Sequence, residues 1–258
     1  MKILDIKTVQ TNAMKQLFEA LKDILTDANI EFSESGVKMV AMDSTKTVLV
    51  HLKLQSDKFD TFFCKKKTIA GTSMPNLYKI LKTINNDDTL TFRMDESDMN
   101  KISIILENGE KNKVTEYELN LMDLNEEEIS VPPQEFDSII TMPSTEFQKI
   151  CRDMSNLSDE IEIKSIGSQL IFSCKGDFAN QKTVIGQTPA GVNFKKYNDE
   201  NAIIQGYYNL KHLVLFTKCT NLCSSIEIYM KNNYPIVIIY SVGNLGKLKL
   251  ALAPKIVG

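Results

Sequence analysis

Four stretches with helical apolar spacing recur at matched intervals, and this recurrence constrains the fold more than any single motif. In 11–25, Met14, Leu17, Phe18, Leu21 and Leu25 fall on one helical face. The same spacing places Leu77, Ile80, Leu81 and Ile84 together in 73–84. It unites Phe147, Ile150, Cys151 and Met154 after Ser144, and Leu210, Leu213, Val214 and Phe216 in 209–219. The stretch opening near Thr11 reappears near Ser144, and the one near Ser73 near Asn209, both shifted by almost the same distance.

Short alternating runs fill the space between them and read as strands. They are 2–10, 30–33, 37–42, 47–54, a pair within 59–69, 89–94, 101–106 and 113–121, then 135–141, 160–164, 169–175, 182–187, 225–230, 236–241 and 248–252. Ser144 reads as a helix N-cap, with Glu146 at the positive end of the dipole. Strand, helix, strands, helix, strands therefore occurs twice. This predicts an α+β chain of two similar domains, 1–120 and 136–258.

The joint between them, 121–135, opens as an alternating strand end and runs through Glu126, Glu127 and Glu128 to Pro132-Pro133. A proline pair removes two backbone donors and fixes φ, so this stretch belongs outside sheet and helix. Ile129 and Val131 are apolar side chains on an otherwise polar segment. Two readings stand here: a solvated linker, or a linker that also docks a partner.

Charge narrows the function. A net charge of -3 argues against a tight, direct nucleic-acid binder. Yet each helical stretch carries cations away from its apolar stripe: Lys15 and Lys22, Lys79 and Lys82, Lys149 and Arg152, Lys211 and Lys218. One such face is the ordinary solvated side of an amphipathic helix. Four of four in an acidic protein leave two readings standing: ordinary solvated faces, or an electrostatic surface for phosphates, which would position a duplex without reading its sequence. Strand 113–121 has one apolar face and ends at the domain joint, so it is either a sheet edge open to another chain or an internally paired strand.

Catalytic motifs are missing. No glycine loop cradles a phosphate, and there is no nucleophile elbow or HExxH. Asp43 and Asp153 read as capping or ion-pairing groups before active-site carboxylates. Five cysteines without CxxC spacing imply reduced thiols inside a cell, and two distant histidines make multi-His metal chemistry unexpected. Apolar runs such as 236–240 are too short to cross a bilayer, and no secretory signal opens the chain. Neither cofactor nor metal nor membrane is expected, and the protein is read as no enzyme.

Seven segments carry a resemblance. They are Phe18-Glu19-Ala20-Leu21-Lys22-Asp23, Ser35-Gly36-Val37, Met42-Asp43-Ser44, Leu121-Met122-Asp123-Leu124, Met142-Pro143-Ser144 with Glu146-Phe147, Ile150-Cys151-Arg152-Asp153 and Leu252-Ala253-Pro254-Lys255-Ile256. In this order, over essentially the whole chain, they resemble the eukaryotic-type DNA sliding clamps, the proliferating cell nuclear antigen family. The resemblance implies a DNA-clamp fold in which three subunits close a ring, helices lining the hole and antiparallel sheets outside. It implies a processivity factor for a DNA polymerase that encircles double-stranded DNA and docks replication and DNA repair proteins, loaded by a clamp loader. The alternative is a clamp-derived monomeric polymerase accessory, viral sources included, that forms no ring. The setting would be the nucleus, or the replication site of a virus.

Carried over by position, the resemblance makes the helix cations above, together with Lys66 in the basic stretch after Cys64, DNA-facing. A family lining lysine falls on Gln16 and a lining histidine on Asn156. The partner-peptide pocket maps to Met42, Lys46, Leu49, Ile129, Val131, Pro132, Phe136, Pro235, Ala253, Pro254 and Ile256. Lys46 stands where the family commonly has histidine and Ala251 where it has tyrosine, and the sequence closes at Val257-Gly258 without the acidic tail. The family's ubiquitin-acceptor lysine aligns with Gly167, so that regulation is not carried over. The subunit interface maps to Val114, Tyr117 and Leu119 on one side and to Phe178 and Ile185 on the other.

Overall fold

Period-two burial runs through most strands of the computed structural model, which describes residues 1–125, 129–189, 191–197 and 202–255. The chain divides into two compact units. The first holds Met1–Ser44, Val50–Ile129 and Ser241–Leu248; the second holds Thr45–Leu49, Ser130–Tyr240 and Lys249–Gly258.

In the first unit β1 (Lys2–Thr8) leads into α1 (Thr11–Ile24), followed by β2 (Asp27–Ser33), β3 (Gly36–Met42) and β4 (Val48–Gln55). A 3-10 turn at Ser56–Lys58 precedes β5 (Thr61–Cys64) and β6 (Thr68–Ser73), then α2 (Met74–Leu81), β7 (Thr89–Asp95), β8 (Asp98–Asn108) and β9 (Lys113–Asn120). One antiparallel sheet runs β5-β1-β7-β8-β9, and a second has the order β4-β3-β2-β6. Helix α1 buries Met14, Leu17, Phe18 and Leu21 as its spacing predicted, together with Ile24, which the spacing did not place; Leu25, the fifth predicted position, is buried just past the helix end at its C-cap. Truncating a side chain such as Leu17, which is fully buried, costs roughly 2–5 kcal/mol. Beneath the helices lies a small apolar cavity of about 30 Å³, lined by Phe18, Phe32, Leu52, Phe92 and Leu119 among others. Thr72 also lines it, and its buried hydroxyl has no hydrogen-bond partner among the described residues.

The second unit repeats the plan. It has β10 (Ser138–Pro143), α3 (Ser144–Ser155), β11 (Glu160–Ile166), β12 (Gln169–Lys175), β13 (Asn180–Gly186), β14 (Asn193–Tyr197), β15 (Ile203–Asn209) and α4 (Leu210–Phe216). After a 3-10 turn, Thr217–Leu222, come β16 (Ser225–Met230), β17 (Ile236–Val242) and β18 (Gly246–Leu252). The sheets here run β13-β12-β11-β15 and β14-β10-β16-β17-β18. Helix α3 buries Phe147, Ile150, Cys151 and Met154.

Several local expectations need correction. Ser144 does not cap its helix. It is the first helical residue, Pro143 holds the cap position, and the Ser144 hydroxyl donates instead to the Cys223 carbonyl at 2.6 Å. Asn209 is the true side-chain cap, its Oδ1 accepting from the Lys211 N–H at 2.9 Å. The stretch 209–219 is not one α-helix, because α4 tightens into the 3-10 turn after Phe216. Ile80 in α2 and Val214 in α4, both read as stripe residues, are only half-buried. Strands β14 and β15 went unread.

The connector begins on the first unit. The Met122 N–H donates to the Gly71 carbonyl at 2.7 Å, and the Asn29 amide donates to the Leu124 carbonyl at 3.1 Å. A Cβ on Gly71 would sit 2.2 Å from the Met122 carbonyl oxygen, so this approach needs glycine.

Candidate nucleic-acid interface and partner sites

The apolar stripe of each helix packs inward, which turns its cations outward, and the structure then sorts them. Lys66, Lys79, Lys82, Lys149, Arg152, Lys211 and Lys218 are exposed. Two others are held by the protein. Lys15 is half-buried and donates to the Ile84 carbonyl at 3.2 Å. Lys22 lies 2.8 Å from the Asp23 carboxylate and 5.2 Å from the centroid of the Tyr78 ring, a cation–π contact. Burial, then the hydrogen bond and charge of Glu19, raise the Tyr78 phenol above its usual range, so the ring beneath Lys22 stays neutral. Among the exposed set, Lys79 donates to Asn76 at 3.1 Å, and Arg152 approaches Asp153 only to 3.8 Å. Asp153 thus stands in the ion-pairing position read for it.

The peptide-pocket residues are described within each unit. In the first, Met42 ends β3 with 39% of its surface exposed, and Ile129 is half-buried. In the second, Lys46 is exposed in a left-handed conformation (φ 55), Leu49 is half-buried, and Val131 and Pro132 are exposed. Phe136 packs edge-on against Tyr229 and Tyr234, with centroids 5.3 and 5.7 Å away. Pro235 and Pro254 are half-buried and Ala253 exposed, while Ile256 lies outside the described residues.

Pro254 also borders a pocket of about 490 Å³ with Gln205, Tyr207, Asn232 and Lys255. Here the outer edge of β15 is covered by the protein itself. The Asn232 side chain donates to the Ile203 carbonyl at 2.9 Å and accepts the Gln205 N–H at 2.8 Å. The Lys255 N–H continues the row to the Tyr207 carbonyl at 2.8 Å. Tyr229, Tyr234 and Asn232 were missed from the sequence. Asn232-Asn233 carries a turn signal, but a carboxamide standing in for a strand leaves no pattern in the chain.

The two segments matched to a subunit interface both lie at sheet edges. Strand β9 closes one sheet of the first unit and β13 one sheet of the second. This decides the sequence question about 113–121 in favour of an edge. Val114 is 65% exposed and Phe178 79%, while Tyr117, Leu119 and Ile185 are half-buried.

The remaining chemistry is structural. A groove of about 650 Å³ in the second unit contains Glu162. Burial would raise that carboxyl, but hydrogen bonds from Tyr207, Ser173 and Lys164 outweigh it and hold it below the usual range. Burial pushes the Cys151 and Cys219 thiols far above their ordinary value, away from thiolate chemistry. Among the described residues no three His, Cys, Asp or Glu side chains converge as a metal site, and no helix is long and apolar enough to cross a membrane.

Against known proteins, residues 3–129 match the family model described as proliferating cell nuclear antigen, N-terminal domain, and residues 130–255 the corresponding C-terminal domain. Among curated proteins, the "Probable DNA polymerase sliding clamp 1" of Paramecium bursaria Chlorella virus 1 is 37% identical over 256 residues. That alignment covers 98% of this chain and 97% of the relative.

Proposed function

Because the chain belongs to the proliferating cell nuclear antigen family, we propose a mechanism for it as a DNA polymerase sliding clamp. The match of both family domains, end to end over 3–255, carries this reading. Three copies close a ring around duplex DNA, and the topological link keeps a polymerase on its template without tight phosphate binding. That is how a chain of net charge -3 can serve as a DNA-binding protein. A monomeric accessory that forms no ring is not favoured, since both clamp domains are present.

In this reading the domains are 1–120 and 136–258 with connector 121–135. The exposed helix cations with Lys66 face the duplex, and Lys15 and Lys22 contribute less because their ammonium groups already have partners. Their contacts are lysine-dominated and salt-sensitive, which lets the ring slide. Met42, Lys46, Leu49, Ile129, Val131, Pro132, Phe136, Pro235, Ala253, Pro254 and Ile256 receive the short peptide of a polymerase or repair protein. The protein has no catalytic step of its own, uses a separate loader, and works where DNA is copied, in a nucleus or at a viral replication site.

The test loads the protein onto nicked circular DNA and then linearises the circle. Loss from free ends is expected, and retention on the linear form sinks the topological claim. Lys79→Glu combined with Lys149→Glu is expected to impair polymerase stimulation while leaving the trimer mass unchanged. Ile129→Ala is expected to weaken peptide binding and spare the ring.

A further inference from the structure

Lysines outside the helices gather at a second place on the first unit. The turn after α2 and the turn joining β8 to β9 enclose a notch of about 90 Å³, with Thr83 on one side and Lys111, Lys113, Thr115 and Tyr117 on the other. That is well below the roughly 300 Å³ at which pockets for larger ligands begin, and suits a small ion. Along β9, Thr115, Tyr117 and Leu119 are half-buried, whereas Val114, Glu116 and Glu118 are exposed. Lys113 shares the register of the half-buried set, so it stands on their face at the start of the strand. That face looks toward the helices, because the Tyr117 hydroxyl lies 3.3 Å from the Thr83 hydroxyl in the turn after α2.

The carboxylate in the notch, Asp88, is already engaged. One oxygen accepts the Asn85 N–H at 2.8 Å and the Asn85 side-chain amide at 3.1 Å, and the other accepts the Asn108 amide at 2.9 Å. Lys111 acts on Asp88 through its charge alone, and neither Lys111 nor Lys113 makes an ion pair among the described residues. A third cation, Lys15, reaches the same turn at the Ile84 carbonyl. The Thr83 hydroxyl donates to the Ile80 carbonyl at 2.7 Å, so Tyr117 is the donor in the contact between the two hydroxyls. At 3.3 Å that contact is long and easily exchanged for a better acceptor.

We propose that this notch binds a phosphate oxyanion, held by the ammonium groups of Lys111 and Lys113, with the hydroxyls of Tyr117 and Thr115 as further donors. Asp88 opposes the anion weakly, since its oxygens face amide donors and the charge of Lys111 stands against it. A purely structural use of the two lysines is to balance Asp88 and the negative end of α2. That use requires no phosphate and predicts no response to one. Two sources share the chemistry: a phosphate of a duplex backbone, because the notch is on the helix side of the sheet, and free inorganic phosphate. The site is formed by the first unit alone and does not depend on a closed ring. Its lysines lie on a turn and a strand, where helical periodicity cannot mark them.

The test follows inorganic phosphate through the width of its phosphorus NMR line in the presence of the protein, with chloride holding the ionic strength constant. Lys111→Gln with Lys113→Gln is expected to weaken binding about tenfold or more, and Lys113→Arg to keep most of it. Lys53→Gln with Lys175→Gln removes the same charge elsewhere and is expected to change binding less than about twofold. Melting temperature in chloride reports whether each variant is folded, and Lys113→Gln alone replaces the pair if the pair is not. A wild type that leaves the line unbroadened, a folded notch variant that broadens it as wild type does, or a control pair that loses as much overturns the site. With the site standing, a short DNA duplex that displaces phosphate from it identifies a backbone phosphate as the occupant. A duplex that displaces none assigns the site to free phosphate. None of these readouts uses a loaded ring, so failure of the linearisation test is a separate result.

Discussion

Helices α1 and α3 occupy the same place in their units, share one apolar pattern and use their cations differently. In α1 the ammonium groups are engaged, Lys15 at the Ile84 carbonyl and Lys22 between Asp23 and the Tyr78 ring. In α3 Lys149 is exposed and Arg152 stays at 3.8 Å from the Asp153 carboxylate. A helical wheel gives both the same outward direction. What separates them is the surroundings: α2 and the turn after it supply a carbonyl and an aromatic face to α1. The lesson is that outward direction and available charge are separate properties.

Three measurements break or sharpen this contrast, taken from the largest expected effect downward. Lys149→Glu with Arg152→Glu should lower duplex affinity at moderate salt by about tenfold or more. Lys15→Gln with Lys22→Gln should lower it by less than about threefold. Equal losses would show that the engaged lysines of α1 are as available as the exposed cations of α3.

The second concerns the turn that holds Lys15. Burial would raise the Asp88 carboxyl there. Hydrogen bonds from the Asn85 N–H and from the Asn108 and Asn85 side chains, aided by the charge of Lys111, instead hold it below the usual carboxylate range. A carboxyl with a lowered folded pKa contributes stability above its unfolded value near about 4, and that stability is lost as pH falls through the folded value. Melting temperature should drop between about pH 5 and pH 3, and Asp88→Asn should flatten that slope while costing about 1 kcal/mol at neutral pH. An unchanged slope would remove Asp88 from the account.

The smallest effect belongs to the ring under Lys22. Tyr78→Leu should lower the melting temperature by about 2 °C, whereas Lys149→Met should leave it within about 1 °C. A larger drop for Lys149→Met would reverse the contrast.

The apolar stripes of α1 and α3 could be anticipated from period, because burial follows side-chain direction; the edge position of β9 could not, since alternation alone leaves an edge and an internally paired strand equally open. The engagement of Lys15 and Lys22 could not, since it depends on residues such as Tyr78 and Ile84 that are distant in the chain. Strand β15 was hidden by Gly206 at its centre, which weakens any strand signal. The glycine is required there, because a Cβ would lie 2.3 Å from the Tyr208 hydroxyl. Ser144 misled because its residue type suits a cap, while the Cys223 carbonyl lay within reach of its hydroxyl.

The fastening of the connector has a further consequence. Its leading end is held to the first unit at Met122 and Leu124, and its trailing end is seated at Phe136 between Tyr229 and Tyr234. A segment fixed at both ends has fewer conformations to surrender than a free tail of equal length. In the proposed clamp, a peptide that seats on Ile129 and Val131 is therefore expected to meet a smaller entropic barrier, so that more of its contact energy remains as affinity. Under the same proposal, cutting the chain between Leu124 and Phe136 is expected to loosen the grip on partner peptides.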